Sequence, residues 1–106
     1  TNVAATARLA HLAADAGTPR FIFTSSALVY GSSPAVPITE DTPPAPVGVY
    51  AHSKLAAEHF LTEIHPCPLV LRLFNVFGPR QTGTLVPTLI EKVLNGDTVT
   101  LQGDGS

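Results

Sequence analysis

Apolar residues along the chain fall into two patterns, helical spacing and short unbroken runs, and the two patterns alternate. Residues 2–16 are rich in alanine and predict a helix, for which Gly17 suits the C′ position. The next run is dense in aromatic and branched side chains and predicts a buried strand from about Arg20 to Thr24. Five of the ten prolines then fall within residues 31–48, which predicts a long irregular loop of the kind that usually carries function.

The same alternation continues in the second half of the chain. Apolar residues recur at helical spacing from Val49 until Pro66 ends the helix. The stretch PLVLRLFNV predicts a second buried strand, and residues 85–94 predict an amphipathic helix closed by Asn95–Gly96. TVTLQ predicts a third, shorter strand. Because helices that alternate with near-continuous apolar strands are typical of a parallel sheet, we predict an α/β fold.

The predicted sheet is small for strands that are apolar on both faces, because such strands need cover on both sides. The chain also begins within a helical pattern and stops at GDGS without a closing element. From these two features we expect the 106 residues to be a piece of a larger domain.

Composition excludes several classes of function. Six basic against eight acidic residues leave no positive excess for a nucleic acid or an anionic membrane. No apolar run approaches the roughly 20 residues of a transmembrane helix. The four histidines lack partners at the spacing of a metal site, so no metal is expected. Cys67, the single cysteine, is interpreted as a small apolar residue leading into a strand. Nothing marks secretion, so we expect a cytoplasmic location by default.

Polar side chains stand where the two predicted strands end. Thr24, Ser25 and Ser26 follow the first strand, and Asn75 follows the second. Tyr50 begins the helix between them, so the chain returns there to the same edge. Because ligands of open parallel sheets bind beyond the carboxyl ends of the strands, this edge is the candidate site.

Tyr50 and Lys54 form the pattern Tyr-x-x-x-Lys at the start of that helix. Residues four apart share one helix face, with Cβ atoms roughly 5–6 Å apart. An ammonium group favours the phenolate form of a nearby tyrosine, which can then act as a base alongside a serine hydroxyl. The alternative is a half-buried aromatic beside a solvated lysine, and for an isolated match this alternative is favoured at roughly four to one.

The pattern does not occur alone. FIFTSSALVYG, a proline-rich loop, YAHSKLAAEHF, LRLFNVFGPRQ and GDGS follow one another along the chain. Together they closely resemble the extended short-chain dehydrogenases/reductases, and most closely the NAD-dependent nucleotide-sugar epimerase/dehydratase branch. The resemblance covers nearly the whole chain and implies a fragment of a Rossmann-type doubly wound parallel sheet. It implies that residues 1–83 are the C-terminal half of an NAD(P)-binding domain and that residues 84–106 begin the substrate-binding segment.

The resemblance also implies roles for individual residues. Ser26 matches the family's catalytic Ser/Thr, Tyr50 its base, and Lys54 the lysine that also holds the nicotinamide ribose. Asn2 matches an asparagine of the family's NVxGT helix, although Ala5 replaces the usual glycine. The full set of implied cofactor-binding residues is Asn2, Thr24, Ser25, Tyr50, Lys54 and Phe74.

Ser26, Asn75 and Arg80 are the implied substrate-binding residues. Phe74 and Asn75 match an FN pair that lines the cofactor and nucleotide-sugar site in the family, and Arg80 matches a position that could approach a substrate phosphate. A core aromatic is the alternative interpretation of Phe74. A solvated turn residue is the equally weighted alternative for Arg80.

The two residues after Ser26 separate the reaction types of the family. Members that dehydrate or decarboxylate sugars resemble one another in having an acidic residue there, whereas this chain has Ala27 and Leu28. The resemblance therefore favours a nucleotide-sugar epimerase that uses NAD, with NADP as the alternative. In that reaction hydride leaves a sugar carbon and returns on its other face while Tyr50 moves the proton. Four alternatives remain: a dehydratase or a ketosugar reductase of the same family, a steroid- or flavonoid-type reductase, and a non-catalytic NAD-binding protein.

The family's glycine-rich dinucleotide motif does not occur in these 106 residues. We therefore expect the 106 residues alone to be inactive and assign the activity to a longer parent protein. The resemblance further implies that this parent is a homodimer, whose helix pair would include the helix that begins at Tyr50.

Overall fold

The computed structural model describes residues 2–32 and 37–100, without the side chain of Asn2. The elements in chain order are helix α1 (Asn2–Asp15), strand β1 (Phe21–Ser26), a 3₁₀ turn (Ala27–Tyr30), helix α2 (Gly48–Ile64), strand β2 (Pro68–Leu73) and helix α3 (Leu85–Asn95). Contacts divide the chain into two units, the first ending at Phe74 and the second beginning at Asn75. The predicted boundary between residues 83 and 84 is a functional assignment and stays a prediction.

The sheet of the first unit consists of β1 and β2 paired in parallel. A parallel pair requires a crossover connection, and α2 lies in it. The register places Ser25 opposite Arg72 and Ser26 opposite Leu73. β1 therefore extends two residues beyond the predicted end, because its two serines still find ladder partners in β2.

The core of the first unit is formed by the helices and the 3₁₀ turn. Leu61 of α2 and Val29 of the 3₁₀ turn are the largest fully buried side chains. α1 contacts α2, and both helices bury alanines, Ala10 on α1 and Ala51 and Ala57 on α2. Small side chains allow helices to approach closely, while full burial of a leucine such as Leu61 contributes about 2 kcal/mol.

The helix ends follow the predicted signals. Gly17 and Gly96 have left-handed φ values of 66° and 72°; Gly17 lies two residues after α1, and Gly96 directly follows α3. The N–H of Gly96 bonds to the last carbonyls of α3, those of Lys92 and Val93. Glycine adopts this conformation without the steric penalty of a Cβ, which is why it ends helices.

The predicted third strand is wrong for the part of it that the structure describes. Thr98–Thr100 have no strand conformation, and the remaining residues of TVTLQ lie outside the described ranges. A strand forms only when a neighbour completes its hydrogen-bond ladder, and within 2–32 and 37–100 only β1 and β2 pair. The predicted loop is irregular over residues 37–47, as expected, whereas residues 33–36 lie outside the described ranges. No described helix has the length and apolar character needed to cross a membrane.

Candidate active site

Three hydroxyl residues, Thr24, Ser25 and Ser26, end β1. The Ser26 Oγ accepts a hydrogen bond of 3.2 Å from the backbone N–H of Leu28, so this side chain caps the 3₁₀ turn. Ser25 is only 5% exposed, and its Oγ has no hydrogen-bond partner among the described residues. A buried hydroxyl without a partner costs about 1–3 kcal/mol, so Ser25 is a candidate for contact with a ligand.

Lys54 connects α2 to this strand end. Its Nζ donates to the backbone carbonyl of Thr24 at 2.9 Å and lies 4.8 Å from the ring centroid of Phe23. The same Nζ lies 5.8 Å from the ring centroid of Tyr50, which is 50% exposed. The structure therefore brings Thr24, Tyr50 and Lys54 together at the carboxyl end of β1, with Ser25 and Ser26 next in the chain.

The start of α2 leaves Tyr50 accessible. Gly48 has φ of 82°, and Val47, the N-cap residue, makes no side-chain capping bond. Within the first turns, the Ser53 Oγ donates to the backbone carbonyl of Tyr50 at 2.8 Å. The Tyr50 hydroxyl takes part in no hydrogen bond among the described residues. Tyr50 is thus half exposed at the sheet edge where a ligand is expected.

Of the remaining predicted site residues, Phe74, Asn75 and Arg80 follow the end of β2, and Asn2 lies at the start of α1. Phe74 follows β2 directly and is 59% exposed within this chain. Asn75 is exposed and is the first residue of the second unit. Asn2 begins α1, but its side chain is not among those described.

Arg80, in the second unit, occupies an unusual turn. The N–H of Gln81 donates to the carbonyl of Gly78 at 3.2 Å, and the Gln81 Oε1 accepts from the N–H of Gly78 at 3.2 Å. The turn holds Arg80 at φ 69°, the left-handed region that an arginine adopts only at a cost of about 1 kcal/mol. The guanidinium is exposed, with no hydrogen bond or ion pair to the rest of the described chain.

A buried ionic network was missed by the sequence interpretation. Glu58 of α2 is 4% exposed and binds Arg72 of β2 through Nη2 at 2.7 Å and Nε at 3.2 Å. The Arg72 Nη1 donates to the Tyr30 hydroxyl at 2.9 Å, and Tyr30 is also 4% exposed. The hydrogen bonds that Arg72 donates to the Glu58 carboxylate raise the pKa of the Arg72 guanidinium above its ordinary value, so it stays charged. We name these three residues the Glu58–Arg72–Tyr30 network.

One sequence signal could have found this network. Arg72 is the only charged residue in the otherwise apolar run PLVLRLFNV, and a charge in a buried strand requires a partner. Glu58 lies four residues after Lys54 and therefore on the same face of the helix as Tyr50 and Lys54. The predicted site at the end of the strands already requires that face to lie against the sheet. By contrast, the described residues contain no cluster of three or more side chains that could hold a metal ion.

Comparison with known proteins places the chain in one family. The model of the NAD dependent epimerase/dehydratase family matches residues 1–106. The low-salt glycan biosynthesis protein Agl12 of Haloferax volcanii is 40% identical over 111 residues, which cover 100% of this chain and 36% of the relative. A UDP-glucose 4-epimerase of Mycolicibacterium smegmatis is 38% identical over 115 residues, which cover 99% of this chain and 36% of the relative.

A solved structure gives the same result for the fold. The Bordetella bronchiseptica enzyme WbmG in complex with NAD matches with a TM-score of 0.83 at 37% identity, over 93% of this chain and 32% of WbmG. Its complex with NAD and UDP matches with a TM-score of 0.81. These matches confirm the predicted Rossmann-type α/β fold and the family resemblance. The chain spans about a third of the length of the relatives it matches.

Proposed function

Because the chain belongs to the NAD dependent epimerase/dehydratase family, we propose that the full-length protein is a nucleotide-sugar epimerase that uses NAD. The observation that carries the proposal is the position of Lys54, held by the Thr24 carbonyl at 2.9 Å and 5.8 Å from the Tyr50 ring centroid. A cation at that place stabilises a phenolate, which is the base that the reaction needs. The relatives support the ligands, since WbmG binds NAD and UDP and the mycobacterial relative is named for UDP-glucose.

The residues at the end of β1 fit a cofactor that carries hydroxyl groups. An ammonium has three N–H donors, and Thr24 uses one of those on Lys54, so others remain for a ribose. The buried Ser25 Oγ has no partner among the described residues. We assign Lys54, Tyr50, Thr24 and Ser25 to the cofactor, and the family resemblance adds Asn2 and Phe74. When bound, NAD supplies the hydride acceptor and donor.

Proton transfer falls to three side chains of this chain. Tyr50 as phenolate takes the proton from a sugar hydroxyl and later returns it, while Lys54 stabilises the negative charge on the phenol. Ser26 donates a hydrogen bond to the same sugar oxygen. Its Oγ accepts a bond from the Leu28 N–H, which leaves its own O–H available as a donor.

The residues around Ser26 favour epimerisation over dehydration. Loss of water from a sugar needs an acid or base in addition to the group that moves the hydroxyl proton. The 3₁₀ turn places Ala27 and Leu28 directly after Ser26, and neither can supply a proton. The Glu58 carboxylate, which α2 carries, is occupied by Arg72.

Further parts of the proposal concern substrate, assembly and location. We assign Asn75 and Arg80 to the nucleotide sugar. We also propose a homodimer, because α1 and α2 leave Leu9, Leu12 and Phe60 46–57% exposed, and sedimentation of the full-length protein as a monomer would contradict it. The exposed free thiol of Cys67 is compatible with a reducing compartment such as the cytoplasm.

The test of the proposed function is turnover of UDP-, GDP- and TDP-sugars by the full-length protein, with product identification by NMR. We expect a sugar epimer without net consumption of NAD. Tyr50→Phe should lower turnover by at least about 100-fold while NAD affinity is retained, because it removes only the hydroxyl that moves the proton. Glu63→Gln, a change of an exposed side chain on a different face of the same helix, is the matched control and should turn over normally.

Each other outcome identifies a different function. Wild-type turnover by Tyr50→Phe would remove Tyr50 from the mechanism. A dehydrated product would identify a dehydratase, and stoichiometric consumption of reduced cofactor would identify a reductase. NAD binding with no turnover of any sugar tested would favour a non-catalytic NAD-binding protein.

A further inference from the structure

The Glu58–Arg72–Tyr30 network lies on the same helix stripe as the proposed base. Tyr50, Lys54 and Glu58 are spaced four residues apart along α2, so successive turns of one face carry them. Lys54 binds β1 through the Thr24 carbonyl, and Glu58 binds β2 through the Arg72 guanidinium. α2 is therefore fixed to both strands of the sheet, one strand at each turn.

The network also fixes the far end of the 3₁₀ turn. Arg72 donates to the Tyr30 hydroxyl at 2.9 Å, and its guanidinium lies 4.8 Å from the Tyr30 ring centroid. Tyr30 is the last residue of that turn, and Ser26 immediately precedes its first. A single ionic group thus connects the segment that carries Ser26 to the helix that carries Tyr50.

The 3₁₀ turn has little freedom to move between these two ends. At its start the Leu28 N–H is bound to the Ser26 Oγ, and beyond its end Gly31 has φ of 61°. A Cβ at Gly31 would overlap the carbonyl oxygen of Ala45, whose N–H in turn donates to the Val29 carbonyl at 3.0 Å. We therefore expect a shift of Tyr30 to be transmitted to Ser26, because only the three residues of one short hydrogen-bonded turn separate the two.

We propose that the Glu58–Arg72–Tyr30 network positions Ser26 relative to Tyr50 for proton transfer. The kinetic part of this inference rests on the proposed epimerase function. Glu58, Arg72 and Tyr30 are positioning residues, because their polar groups are used on one another. A misplacement of the serine hydroxyl by a fraction of an ångström would weaken its bond to the sugar oxygen in the transition state.

Tyr30→Phe in the full-length protein is the test variant. It keeps the ring and its contact with the guanidinium and removes only the hydroxyl that accepts from Arg72. We expect kcat to fall about tenfold with KM changed less than about twofold, because geometry for proton transfer is lost and binding is not. We also expect faster hydrogen exchange at the Leu28 amide, since that N–H reports directly on the Ser26 cap.

A second variant and a control separate positioning from general stability. Glu58→Gln retains an oxygen for Arg72 but loses the charge, and should give the same kcat-specific effect together with faster Leu28 exchange. Glu63→Gln, on the same helix but off the face that carries Tyr50, Lys54 and Glu58, should change neither quantity.

The two readouts keep the inference distinct from the proposed function. An unchanged kcat in folded Tyr30→Phe, or unchanged Leu28 exchange, would overturn the positioning role and leave a purely structural network. If the wild-type protein turned over no sugar, the proposed function would fail. Faster hydrogen exchange at the Leu28 amide in Tyr30→Phe would then still support the inference that the network fixes the position of Ser26. Unchanged exchange would overturn that inference.

Discussion

The two units of the chain each contain one arginine in an unusual setting, and the two settings are opposites. Arg72 in β2 has a side chain that is 23% exposed and is bound by the Glu58 carboxylate and the Tyr30 hydroxyl. Arg80 is exposed and sits on a backbone at φ 69° that is strained for arginine. All three guanidinium nitrogens of Arg72 donate to Glu58 or Tyr30, whereas no described residue binds the guanidinium of Arg80.

This difference distinguishes a charged side chain that stabilises the fold from one that is available to bind a ligand. A desolvated guanidinium is stable only when its donors are satisfied, so the partners of Arg72 show what it does. A strained turn is retained against its own cost of about 1 kcal/mol when the conformation presents a side chain for use. By this reasoning Arg72 acts through position, and Arg80 is the better candidate for binding an external anion.

The largest expected effect comes from removing the partner of Arg72. Glu58→Leu leaves a partly buried charge without its counterion, which costs about 3–5 kcal/mol for a fully buried pair. Because the Arg72 side chain is 23% exposed, we expect a loss at the lower end, about 3 kcal/mol in the free energy of unfolding of the full-length protein. Denaturant unfolding measures this quantity.

The double variant Glu58→Leu/Arg72→Met is the matched control for that loss. It removes both charges and places apolar side chains in the same space, so most of the stability should return. If it were no more stable than the single variant, the unpaired charge would not be the cause of the loss.

A smaller loss of stability is expected from substitution of Gly31, the residue that directly follows Tyr30 of the network. Gly31→Ala and Gly17→Ala both place a Cβ on a left-handed residue, at φ 61° and 66°. Only at Gly31 would that Cβ overlap another group, the Ala45 carbonyl oxygen, since nothing lies within 4 Å at Gly17. We expect about 1 kcal/mol of destabilisation at Gly17 and about 1 kcal/mol more at Gly31, which together stay below the loss expected for Glu58→Leu. Equal losses of thermal stability in the two variants would mean that the backbone around Gly31 shifts to accommodate the added Cβ.

The smallest effect on stability, and the most informative for function, is expected at the second arginine. Arg80→Gly relieves the strained backbone but adds glycine entropy to the unfolded chain, so the free energy of unfolding should change by less than about 1 kcal/mol. If Arg80 binds a substrate phosphate, KM for the nucleotide sugar should rise about tenfold. Arg80→Asn, which tolerates the same φ without the charge, should raise KM equally. An unchanged KM in both variants would show that Arg80 is a solvated turn residue that does not bind the substrate.

Local sequence signals predicted the helices and the parallel strands well. The alanine-rich start with Gly17, the stop at Pro66 and the Asn95–Gly96 end are signals carried by residues close together in the chain. Such features depend on backbone preference and on the period of apolar residues, both of which the sequence displays directly. The polar edge after β1 was predictable for the same reason.

Features that depend on distant residues were missed or wrong. Arg72 meets Glu58 across 14 residues and Tyr30 across 42, and no local pattern encodes either pairing. The strand predicted at TVTLQ failed for Thr98–Thr100 because a strand is defined by a neighbour, and among the described residues they have none. Strand propensity identifies a segment that could form a strand, but it does not identify the neighbouring strand with which that segment would pair.

The four-residue spacing along α2 sets a limit on how the length of the chain can vary. Insertion of one residue between Lys54 and Glu58 would rotate everything after it by about 100° about the helix axis. The ammonium would then face β1 while the carboxylate turned away from Arg72 and towards solvent. Insertions and deletions within this stretch would therefore separate the proposed base from its support, and we expect changes of length to be tolerated only outside the helix.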